Sequence, residues 1–187
     1  MRLKMEQQDL IKIAIPLVAV PLTSILLFRH HFADHNQARR LLTFKNMDEC
    51  MVELEKIEQA TALKIDNDWT LYQNLMHCTQ SIMYSMIGFP ENKPKLFQKT
   101  IGSLIFNQFE HQGYMRHNRN EPIPGATEIK PAGNSVDAAI DLRKAVLDFE
   151  NFDRELKPHF AYGKLTKLQF ANAHCMHMAD HFAIMTY

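Results

Sequence analysis

The sequence predicts an all-α protein: a four-helix bundle with additional short helices and an apolar helix at its N-terminus. Apolar residues recur at helical spacing in several stretches after residue 45, and capping signals precede some of these stretches. Glycine is sparse, six in 187 residues, and much of it falls between the periodic stretches, as in helices joined by loops.

Size and charge narrow the function. A chain of 187 residues suffices for one domain with a substantial core and an extra segment. Lysine plus arginine equals aspartate plus glutamate, 21 each, so there is no basic excess to form a nucleic-acid footprint. Nucleic-acid binding is excluded. The cysteines, Cys50, Cys78 and Cys175, are odd in number and form no CxxC pair, so they are expected to be small buried hydrophobes rather than a disulfide framework.

The first element is the uncharged run from Ile13 to Phe28, preceded by Arg2, Lys4 and Lys12. It is shorter than the about 20 residues of a typical spanning helix, and longer than the apolar core of most cleaved signals. The following RHHFADHNQARR offers no small-x-small cleavage site. Residues 1–40 are therefore expected to be a membrane anchor or uncleaved signal. The alternative is a buried packing helix, which Pro16 and Pro21 favour. Arg29, Arg39 and Arg40 balance the charges before the run and leave its orientation open.

Residues 41–187 form the expected folded domain. Asn46 starts a first helix, in which Asp48 and Glu49 suit the positive end and Val52 and Ile57 give apolar positions. In a second helix, Asp68 is the expected cap, and Trp69, Tyr72, Leu75, Met76, Ile82 and Met83 form the apolar face. Gly88 and Pro90 close it. A third runs from Pro94 to Gly113, with Leu96, Phe97, Ile101, Leu104, Ile105 and Phe109 in period. A proline-rich loop with PIPGATEIKPAG follows, and Asn134 and Asp137 then open a fourth helix. Thr166 and Gln169 make a capping box for the last, LQFANAHCMHMADHFAIM.

That last helix carries the chemistry. His174, His177 and His181 fall on one stripe, and His177 and His181, four apart, can reach one ion from adjacent turns. His174 is a third ligand, a substrate contact or a lid residue. Completing a sphere calls for a facing helix, where His77 is the natural candidate; its alternative is a core histidine bonded to a hydroxyl or carbonyl. Asp180 can orient an imidazole, act as a base, or simply be solvated. His30, His31, His35, His111, His117 and His159 lie in flanks, loops or helix ends and are expected to be surface or structural.

WTLYQNLMHCTQSIMYSMIGFP, PIPGA and PHFAYGKLTKLQFANAHCMHMADHF, in that order, resemble a bacterial branch of the DinB-like superfamily that carries a domain of unknown function. The resemblance spans about Leu41 to Tyr187. It implies a four-helix bundle holding a divalent metal through His77, His177 and His181, with His174 and Asp180 as further site residues. Zinc, nickel and iron all suit imidazole ligands. The wider superfamily includes metal-dependent thiol transferases, which implies a transferase or hydrolase acting on a small molecule with thiol or water as nucleophile. The alternative is a non-catalytic metal-binding or structural module at the membrane surface. Relatives often begin with an export signal containing an arginine pair, absent here. The expected location is the bacterial membrane with the domain on the periplasmic side, the alternative being cytoplasmic, and a homodimer is compatible with the sequence.

Overall fold

A computed structural model describes residues 39–187. The apolar run, and with it the expected N-terminal helix and anchor, lies outside the described residues. Among those described, no helix is long and apolar enough to cross a membrane.

The described chain is mostly helical, as expected, with one two-residue ladder. Helix α1 (Met47–Gln59) starts at Asn46, whose side chain accepts from the Glu49 N–H. It buries Cys50, Leu54 and Ile57, whereas Val52 points to solvent. Strand β1 (Lys64–Ile65) then pairs antiparallel with β2 (Met185–Thr186), tying the chain's end to the α1–α2 connection.

Helix α2 (Leu71–Ile87) is capped by Thr70 in a box with Gln73, not by Asp68 as the sequence suggests. Gln73 returns the bond to the Thr70 N–H, which Asp68 is not placed to match. Asp68 instead accepts from Asn120 Nδ2 at 3.0 Å. Trp69 thus precedes the helix, and Met83 is exposed rather than on the apolar face. Gly88, at φ 108°, closes α2 in a conformation that side chains rarely adopt.

Helix α3 runs over the expected stretch in three parts: Lys95–Phe97 and Ser103–Gln112 are α, and Gln98–Gly102 between them is a π turn. The residue inserted by the wider turn shifts the face, so the apolar stripe does not stay in register. Phe106 and Phe109 are buried beside Tyr162, but Leu96, Ile101 and Leu104 are exposed, against the sequence expectation. Gly102 is required here, since a Cβ would lie 1.9 Å from the Ala161 carbonyl oxygen.

Helix α4 (Ser135–Glu150) starts at Asn134 and α5 (Lys167–Phe182) at the Thr166–Gln169 box, both as read from the sequence. Helices α1, α2, α4 and α5 enclose one core around Leu54, Leu75, Leu142, Phe149, Phe170 and Phe182. Each such side chain contributes about 1.5–3 kcal/mol on burial, which sustains helices too short to persist alone. All three cysteines are free and buried, as expected. The carbonyl end of α5 is closed by Arg40, which donates to the Phe182 oxygen at 3.0 Å and ion-pairs with Glu53.

The connection from Gly113 to Asn134 has no regular structure, yet it is fastened along α2. Gln73 and Gln80 donate to the carbonyls of Ile129 and Thr127, each at 3.0 Å, and Met115 and Ile123 are buried. The Tyr72 ring fills the space that the missing Cβ of Gly133 leaves. This fastening carries residues 115–120 over the ends of α2 and α5.

Candidate metal centre

His177 and His181 face the same way because four residues is one helical turn and a little more. Their ring centroids are 4.7 Å apart, and the His77 ring from α2 lies 4.9 Å from each. The three histidines singled out by spacing therefore come together. A fourth ring joins them: His117, from the fastened loop, lies 4.8 Å from His177 and 5.1 Å from His181. One ring nitrogen of each of the four falls within 4.8 Å of all the others.

Two contacts are close. Nε2 of His77 and Nε2 of His177 are 3.1 Å apart, and Nε2 of His117 and Nε2 of His181 are 3.2 Å apart. A tetrahedral ion with metal–nitrogen distances of about 2.0–2.1 Å spaces its ligands at about 3.4 Å. The two close pairs come near that spacing, and all four nitrogens stay within 4.8 Å of one another.

Protonation follows from the neighbours. Asn74 donates through Nδ2 to the carbonyls of Trp69 and Thr70, so its Oδ1 is an acceptor. His181 Nδ1 lies 2.8 Å from that oxygen and donates to it, which leaves a lone pair on Nε2 directed into the cluster. Burial, reinforced by charge on adjacent histidines, holds His177 and His181 well below the ordinary imidazole range. Burial and His117 push His77 down to about 3. These three rings are neutral near pH 7, the form that ligates a metal. His77 Nδ1 is buried with no hydrogen-bond partner, so its ring is held by packing against Trp69, 5.2 Å away, rather than by a second bond.

Asp180 is buried rather than solvated. Its Oδ1 receives Arg39 and Arg119, each at 3.3 Å, and its Oδ2 faces His117 Nδ1 at 3.1 Å. That last approach is close, though neither atom has a formed hydrogen bond. Burial alone would raise the carboxyl pKa, but His117 and the two guanidinium groups outweigh it and hold Asp180 below its ordinary value.

His174 stays out of the cluster. Its Nε2 is 3.3 Å from Ser85 Oγ, and its ring stands edge-on to Phe149 and stacks on Phe170. Ser85 donates its own proton to the Ile82 carbonyl at 2.6 Å, so His174 is the donor to Ser85 and this pair is no nucleophile and base. His159 is also internal. Its Nδ1 accepts the N–H groups of Ala161 and Tyr162, and its ring stacks on Tyr162 at 4.2 Å.

Sequence reasoning missed His117, expected among surface or structural histidines. Neither its loop nor its neighbours Arg116 and Asn118 carry a periodic signal. The one usable cue was chemical: three imidazoles leave a position on an ion that a loop can fill.

The architecture and the cluster define a mostly helical protein with four convergent histidines able to hold a metal ion. The chain belongs to the family described as Protein of unknown function (DUF1569), whose model matches residues 36–187. No curated protein and no solved structure matches the chain.

Proposed function

We propose that this protein binds one divalent metal ion through His77, His177 and His181, with His117 as a fourth ligand. The ion then serves a transferase or hydrolase reaction on a small molecule. The observation that carries the reading is the pair of Nε2–Nε2 approaches at 3.1 and 3.2 Å among four buried or half-buried rings. Two imidazole nitrogens that close share either a proton or a cation, and four rings converging in this way suit a cation. The resemblance of the histidine-bearing segments to the DinB-like superfamily supports the same ligands and a bundle built around them. Zinc, nickel and iron all accept imidazole donors. A bound ion would supply Lewis acidity, favouring the deprotonated form of a thiol or water nucleophile.

The loop-borne position of His117 favours catalysis. Its side chain retains 24% exposure, so one side of the cluster opens to solvent. A second reading, a non-catalytic metal module, is favoured by the count of four imidazoles, since closed four-ligand spheres are typical of structural sites. X-ray absorption of the zinc- or nickel-loaded protein, with and without a small thiol, separates them. Catalysis predicts an exchangeable oxygen or thiol ligand, together with turnover in a thiol-transfer or hydrolase screen. Four imidazoles unchanged by thiol would establish the structural role, and failure to bind zinc or nickel stoichiometrically would refute both.

Residues 1–40 complete the proposal as a bacterial membrane anchor, with the folded domain on the periplasmic side. The uncharged run from Ile13 to Phe28 supports this. The full chain should sediment with membranes, and a chain beginning at residue 36 should not. Equal partitioning of the two would sink the anchor.

A further inference from the structure

We infer that Asp180 is a positioning residue that holds His117 in the cluster, so that one buried carboxylate sets whether the centre has four imidazoles or three. This rests on the metal-binding reading above and assigns a regulating contact to the same site.

The four rings are held in different ways. His77, His177 and His181 sit on helices, and their directions follow from backbone geometry and core packing. His117 sits in an irregular segment, where the backbone does not dictate where the ring points. The contact that fixes it must come from outside the loop, and Asp180 Oδ2, 3.1 Å from Nδ1, faces the ring. A carboxylate there favours a proton on Nδ1 and leaves the Nε2 lone pair for the cluster.

The carboxylate is itself immobilised. Its other oxygen takes Arg119 from the same loop and Arg39 from the segment entering the domain, both at 3.3 Å. Asp180 lies on α5 one residue before His181, so rigid helix, loop and entering segment meet at this side chain. Arg119 also draws the loop down two residues beyond His117, giving the ring a second tether through the same carboxylate. The rival account makes Asp180 only a buried counter-ion for two arginines, with no bearing on His117.

A double-mutant cycle in metal affinity decides between them. Cobalt(II) titration of the full chain reads both affinity and, through its visible spectrum, coordination number. Outer partners of metal-binding histidines typically contribute about 10–100-fold in affinity. Asp180→Ala and His117→Ala should each weaken cobalt binding within that range and give the same spectral change. The double variant should be no weaker than His117→Ala alone. If Asp180→Ala weakens binding as much in the His117→Ala background as in the parent, Asp180 does not act through His117. Should Asp180→Ala fail to fold, Asp180→Asn keeps the shape and removes the charge, and the same cycle applies to it. A readout free of metal is the nitrogen-15 spectrum of the His117 ring: Nδ1–H in the parent, a mixture of tautomers in Asp180→Asn. An unchanged tautomer overturns the inference even if metal binds. Failure of the parent and of His177→Ala to differ in cobalt binding would overturn the metal reading instead, leaving the tautomer result to judge Asp180.

Discussion

Two groups of buried histidines lie next to each other along α5, and they are built in opposite ways. In one, His174 and His159 give their ring nitrogens ordinary partners, Ser85 and the N–H groups of Ala161 and Tyr162, and stack on aromatic rings. In the other, His77, His117, His177 and His181 bring their Nε2 atoms toward each other. His174 and His177 are only three positions apart. The difference shows that burial and a shared helix face do not make a ligand. What matters is whether the ring nitrogens are directed at partners in the surrounding protein or at one another.

The sharpest way to break this comparison is by metal affinity. His77→Ala, His177→Ala and His181→Ala should each abolish stoichiometric zinc or nickel binding, a loss of more than about 100-fold, since each removes a ligand held by a rigid helix. His174→Ala should change affinity by only about threefold, because its nitrogen is committed to Ser85. Calorimetric titration of each variant at one pH checks this. If His174→Ala lost the metal while His77→Ala kept it, the site would run along α5 and the two groups would have to be redrawn.

The satisfied group makes its own prediction, in acid. Burial pushes His159 and His174 down to about 3 each in the folded protein. In the unfolded chain they titrate near the ordinary value of about 6.5. Below that pH the unfolded state takes up protons that the folded state refuses, so stability falls as pH drops from about 6.5 toward 3. At pH 5.5 each should have lost about 1.4 kcal/mol, or about 3 kcal/mol together. The neutral cluster rings add to the loss in metal-free protein, so the measure is a difference: between pH 7.5 and 5.5, urea unfolding should show His174→Phe losing about 1.4 kcal/mol less than the parent. A stability independent of pH over this range would mean that these rings are not held neutral.

Much of this was legible in the sequence, and what was not has physical causes. The five helices, the Asn46, Asn134 and Thr166 caps and the His177–His181 pair follow from spacing on regular elements. Spacing failed where the period itself changed: the π turn at Gln98–Gly102 shifts α3 by a residue and leaves Leu96 and Leu104 exposed. It failed again for Asp68, because Thr70 competes for the cap with a better-placed partner in Gln73. His117 was the largest miss. Its location depends on Gln73, Gln80 and Asn120 fastening a loop to positions far away in sequence, which no local pattern encodes.

The smallest effect tests how the satisfied and convergent groups differ at a single ring. His181 belongs to both descriptions: its Nδ1 is spent on Asn74, and that bond is what frees its Nε2 for the cluster. Asn74 does two jobs, accepting from His181 through Oδ1 and donating through Nδ2 to the carbonyls of Trp69 and Thr70. Asn74→Asp keeps the acceptor and sacrifices the donor, whereas Asn74→Leu loses both. If the acceptor orients the ligand, Asn74→Leu should weaken zinc binding by about 10-fold, the lower end of what second partners of ligating histidines contribute. Asn74→Asp should hold affinity within about threefold while still losing stability, because the Trp69 carbonyl before α2 loses its donor and the Thr70 carbonyl keeps only the Asn74 N–H. Zinc competition and urea unfolding on the same samples separate the two jobs. Equal affinity losses in both variants would trace the effect to a disturbed start of α2 rather than to the orientation of His181.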